Sequence, residues 1–98
     1  MTGVLTAEDF EPHCNTGFEV SVDGYSDIFT LVEVQRQKHP TPAPRPPFTL
    51  FFVGQRKDAM FNQQLIEMKH PEMGELTIFI VPIGKTLDET FEYQAVFN

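Results

Sequence analysis

The sequence predicts an all-β fold: a six-stranded antiparallel meander closed into a small barrel or folded into a sandwich, after one short N-terminal helical turn. Three observations predict it. From Asn15 onward, apolar residues recur with period two, the strand period. Short Gly-, Pro- and Asp-containing stretches punctuate the segments. No helical stretch is long enough for a crossover between parallel strands, so neighbours must run antiparallel. With 98 residues, the chain reads as a single domain over 1–98.

The first element is LTAEDF. Thr6 suits the N-cap and Asp9 stands three residues on, as in a capping box, with Leu5 and Phe10 at the hydrophobic-staple spacing. Glu8 and Asp9 suit the positive end of the helix dipole. Pro12 disfavours helix at Glu11, so about one turn forms, pinned by Phe10. The first strand carries Phe18, Val20 and Val22 on one face. Asp23-Gly24-Tyr25-Ser26 supplies turn chemistry. The second strand runs from Ile28 to Arg36, with Phe29 and Leu31 on one side and Ile28, Val32 and Val34 on the other.

KHPTPAPRPP then places five prolines in eight positions. The strands on either side need each other to bury a core. Residues 38–47 are therefore expected to form a Pro-rich loop within one domain, not a linker, stiffened by its polyproline preference. The third strand is Phe48 to Val53, ended by Gly54. Residues 55–62 read as a loop, with Met60 and Phe61 folding back. Gln64 to Lys69 is the fourth strand, Glu75 to Val81 the fifth and Phe91 to Phe97 the sixth. Between the fourth and fifth, HPEMG reads as a tight hairpin loop with Gly74 free to take positive φ. Centring it puts Met68 opposite Leu76 and Ile66 opposite Ile78. On the other face Lys69 meets Glu75 and Glu67 meets Thr77. A one-residue slip would ruin both faces.

Composition excludes several functions. Net charge is −7, with seven acidic residues and no Lys or Arg before Val34. Nucleic acid and anionic membranes need a basic surface, so neither is an expected partner. A sole cysteine, Cys14, allows no internal disulfide and fits a reducing compartment. No signal peptide is visible at the N-terminus, and the expected location is cytoplasmic.

Catalytic signatures are missing from the sequence. His13 and Cys14 are adjacent and would point apart in extended chain; a Cys–His pair would need His39 or His70. The histidines read as solvated. The three histidines and the cysteine show no metal spacing, the glycines no phosphate loop, and no serine sits in a GxSxG context. We therefore expect no enzyme, no metal and no cofactor. Residues 42–47 could offer a polyproline ligand, with Pro44, Arg45 and Pro46 as its contacts, but the spacing fits a stiff loop better.

One feature needs a partner. FTLFFV and LTIFIV are apolar on both faces, and a small barrel uses only one for its core. The spare set is Phe51, Val53, Phe79 and Val81, with Leu65. Its cover would be the N-terminal turn through Phe10, or a second chain: a protein partner or a homo-oligomer.

Four pieces read together, LTAEDFEPH, PFTLFFVG, HPEMGELTIFIVPIG and YQAVFN, resemble a small bacterial and phage family recorded only as a domain of unknown function. The resemblance spans Leu5 to Asn98. It implies an accessory or assembly protein, set near tail-collar-type fibre proteins and associated with a phage-tail-like particle, with no catalytic residues to carry over. The expected function is a non-catalytic interaction module. Two alternatives remain open: an acidic inhibitor that imitates nucleic acid, and a small barrel carrying an apolar ligand.

Overall fold

The computed structural model describes residues 5–36 and 47–97. Helix α1 spans Ala7–Phe10 and passes into a 3₁₀ turn over Glu11–His13. Six strands follow: β1 Gly17–Val22, β2 Tyr25–Arg36, β3 Phe48–Gly54, β4 Gln64–His70, β5 Gly74–Lys85 and β6 Phe91–Phe97. They close an antiparallel barrel in the order β1-β2-β3-β6-β5-β4. Two three-stranded meanders, β1-β2-β3 and β4-β5-β6, thus lie edge to edge. The chain steps across between β3 and β4, so these two are not neighbours. The barrel closes through a short β1–β4 seam, Glu19 to Lys69 and Val20 to Met68. Among the described residues, no helix is long and apolar enough to cross a membrane.

The capping chemistry forms as the sequence predicts. The Thr6 N–H and hydroxyl both donate to Asp9 Oδ2, at 2.8 and 3.2 Å. Phe10 is fully buried, with ring centroids 6.0 Å from Phe48 and 5.8 Å from Phe97. Those are inward-facing residues at one end of the barrel. Phe10 therefore stoppers that end and does not cover the outer face, as the sequence had allowed. The cause is the short loop after α1, which returns straight into β1.

The β1–β2 hairpin turns on Asp23 and Gly24 alone, with φ of 49° and 85°. Positive φ at both positions is the type I′ geometry whose twist matches paired strands, and it is why glycine stands there. The β4–β5 hairpin has the predicted register throughout: Ile66 opposite Ile78, Met68 opposite Leu76, Lys69 opposite Glu75, and Gly74 at φ 78°.

Two bulges change what simple alternation predicts. In β2 the pairing shifts between Leu31 and Glu33, inserting Val32. Alternation reverses there, so Val34 pairs with Leu50 and packs against the core, instead of sharing an outer face with Ile28 and Val32. In β5 the register shifts between Pro82 and Gly84. A proline at a bulge need not donate to the ladder, so β5 runs on to Lys85 and does not stop at Val81.

Phenylalanine fills the barrel. Phe18, Phe29 and Phe52 are fully buried. Phe29 stacks on Tyr93 at 4.4 Å, and Phe52 meets Phe18 edge-on at 5.6 Å. Six strands leave an interior only wide enough for such side chains.

Candidate functional site

The alternation that points these rings inward leaves a second set outside. Leu65 on β4 is directly opposite Phe79 on β5. On β6, Gln94 lies between Val81 of β5 and Phe51 of β3. Val53 stands opposite Glu92, and Val96 opposite Thr49. The five residues singled out from sequence thus share one outer face, on three strands, with β6 between β3 and β5. Leu65 is 64% exposed and Phe79 45%, while Phe51, Val53 and Val81 are half-buried by their neighbours.

The set is not continuous in the way two apolar strands suggest. Gln94 sits in its middle because β6, not β4, lies beside β3. The same topology adds Val96, which is 52% exposed and which sequence reasoning missed. The missing signal was strand order: YQAVFN shows Gln94 and Val96 on the outer face, but not which strands flank them.

The charged residues nearest in register are all acidic. Glu33 pairs across from Phe51, Glu92 from Val53, and Glu67 stands two residues from Leu65 on the same strand. Among the described residues none of the three forms an ion pair. The two described arginines are engaged elsewhere: Arg36 grips Glu11 at 2.7 and 2.8 Å, and Arg56 grips Asp58 at 3.0 and 2.8 Å. The Arg36 guanidinium, by hydrogen bonding, holds the Glu11 carboxyl below its ordinary range. Lys69 faces Glu75 in register without forming an ion pair.

Besides Thr90 before β6, two polar groups expected in solvent, or not singled out at all, are buried. His70 is 6% exposed. Its Nδ1 accepts the Glu72 and Met73 N–H groups at 3.1 and 3.3 Å, so that nitrogen carries no proton. Nε2 then donates to Thr16 Oγ1 at 3.0 Å, and the Thr16 hydroxyl donates to the His13 carbonyl. Burial, and next the neighbouring His13, push the His70 pKa down. Both ring nitrogens are occupied, so this histidine braces a hairpin and is not poised as a base. Sequence reasoning placed it in a solvated loop because it adjoins Pro71.

Asp27 is the second group. It points inward at the end of β2 and accepts the N–H groups of Ile28 at 2.7 Å, Gln55 at 3.0 Å and Arg56 at 3.4 Å. Gly54 makes room for it: a Cβ there would lie 2.6 Å from Asp27 Oδ2. These bonds fix the chain as it leaves β3 and belong to the fold. Cys14 is half-buried, and among the described residues no cluster of His, Cys, Asp and Glu could hold a metal. His39 and the suggested loop contacts Pro44, Arg45 and Pro46 lie outside the described residues. So does the Pro-rich stretch 38–47, apart from Pro47, although the strands flanking it, β2 and β3, pair with each other.

A family model described as a domain of unknown function, DUF6916, matches residues 5–97. The chain belongs to this family. The match covers nearly the span over which the sequence pieces suggested such a family. No curated protein and no solved structure matches the chain.

Proposed function

We propose that this DUF6916 domain is a non-catalytic protein-interaction or assembly module, whose working surface is the outer face of β4, β5, β6 and β3. The observation that carries the reading is the pair Leu65 and Phe79, directly opposed and both exposed, at 64% and 45%. Burying such side chains contributes about 1.5–3 kcal/mol each, and an aromatic at the centre of a patch is the usual anchor of an interface. The setting we propose, on the sequence resemblance, is an accessory role in a phage-tail-like or fibre assembly. A carrier of apolar ligands is a weaker reading, because aromatic rings occupy the barrel interior.

The test is a photo-crosslinking amino acid placed at position 79 in cells of the source organism, with position 23 on the β1–β2 turn as control. The reading expects a discrete adduct from 79 and none from 23. It also expects Phe79→Ser to remove the association while the purified domain keeps its stability. Unfolding of the Phe79→Ser domain, or equal adducts from both positions, would refute it.

A further inference from the structure

The kind of partner can be narrowed, granting that this face docks a protein. Glu33, Glu67 and Glu92 are the charged residues nearest the apolar set; Lys69, two residues beyond Glu67 on β4, and Lys85, next to the Gly84 that faces Glu92, stand farther out. No ion pair neutralises the three among the described residues. Two further carboxylates, Asp88 and Glu89, follow the fully exposed Leu87 on the turn that joins β5 to β6. That turn is held rigid: Thr86 Oγ1 lies 2.8 Å from Thr90 Oγ1 and accepts the Asp88 and Thr90 N–H groups. The surface is therefore apolar at its centre, with carboxylates as its nearest charges and two lysines, Lys69 and Lys85, beyond them.

A second copy of the chain is a poor occupant for such a surface. Two-fold pairing sets a patch against itself, so the acidic borders of both copies would crowd round one dry centre. Like charges brought together across an interface cost several kcal/mol and reject the partner that brings them. The net charge of −7 adds long-range repulsion of the same sign. We infer that the face of β4, β5, β6 and β3 docks a different protein, through a segment whose apolar side chains are flanked by Lys or Arg. Its apolar residues would cover Phe79, Leu65, Val81 and Phe51, and its cations would meet Glu33, Glu67 and Glu92.

The probe is a disulfide-closed synthetic β-hairpin with Leu and Phe on one face, bordered by Lys. A second hairpin replaces each Lys by Gln. Binding to the intact chain is measured by calorimetry. The Lys hairpin should bind more tightly than the Gln hairpin, with the advantage shrinking as salt rises. Glu33→Gln, Glu67→Gln and Glu92→Gln together should weaken the Lys hairpin about tenfold, at about 0.5 kcal/mol per rim pair. Glu8→Gln, Asp23→Asn and Glu72→Gln change the net charge equally but lie on α1, the β1–β2 turn and the β4–β5 turn, and should leave its binding nearly unchanged. Phe79→Ser should abolish binding of both hairpins.

Equal losses from the two triple variants would reduce the effect to overall charge and overturn the inference. Equal binding of the Lys and Gln hairpins would overturn it too, while leaving the apolar face as a docking surface. So would a stable homodimer lost in Phe79→Ser, which would keep the face and change its occupant. Lys-hairpin binding that survives Phe79→Ser would count against the face itself.

Discussion

Asp27 and His70 are polar side chains at inward positions of a barrel otherwise lined by apolar groups. Each is tolerated because its hydrogen-bonding atoms are satisfied by backbone or hydroxyl groups nearby. Removing the Asp27 carboxylate strands three part-buried N–H groups, so Asp27→Ala should cost about 1–3 kcal/mol in urea denaturation, and Asp27→Asn less. His70 gives a pH dependence. Its folded pKa lies below the ordinary value of 6.5, so the unfolded chain binds the proton more readily. The contribution of His70 to stability is therefore fully present above about pH 6.5 and is lost as the pH drops from there toward the folded pKa. Denaturation midpoints at pH 7.5 and 5.5 should differ in the wild type and differ less in His70→Gln. An unchanged difference would assign the acid sensitivity to other groups. Neither residue was legible as structural from sequence. Asp27 sits among Tyr, Ser and Ile where a turn was expected to be ending, and the meaning of Gly54 appears only once β2 and β3 are paired.

Strands were legible where side-chain alternation meets no bulge. The β4–β5 register followed from two faces that agree, apolar with apolar and Lys69 with Glu75. It was misread at Val34 and at the end of β5, because a single inserted residue reverses every assignment beyond it. The fifth strand was ended at Val81, but Pro82 pairs with Tyr93 and the bulge inserts Ile83 beyond it. The docking face belongs to this scale too. Phe79 and Phe52 are both strand phenylalanines, yet they should respond oppositely to truncation. Phe52→Ala empties the core and should cost about 3–5 kcal/mol. Phe79→Ser removes an exposed ring and should change stability by no more than about 0.5 kcal/mol. Guanidinium unfolding of the two variants side by side checks this. A large loss for Phe79→Ser would mean that the ring supports the barrel and does not await a partner.

At the scale of the molecule, six antiparallel strands were expected, closed into a barrel or folded into a sandwich, but neither the choice of barrel nor the strand order was legible. It depends on the β1–β4 seam and the β3–β6 pairing, contacts between residues far apart in sequence that no local pattern encodes. That order puts β6 between the two apolar strands, and so decides the make-up of the outer face: Phe51 and Val81 on either side of Gln94, Val96 alongside, carboxylates at the border. The central claim is that this face stands open in the isolated chain because its acidic border rejects a second copy. The most direct measurement is solution mass by light scattering over a wide concentration range at low salt. The account predicts a monomer throughout. A dimer at low salt that Phe79→Ser dissolves would contradict it, and would show the face to be satisfied by the protein itself.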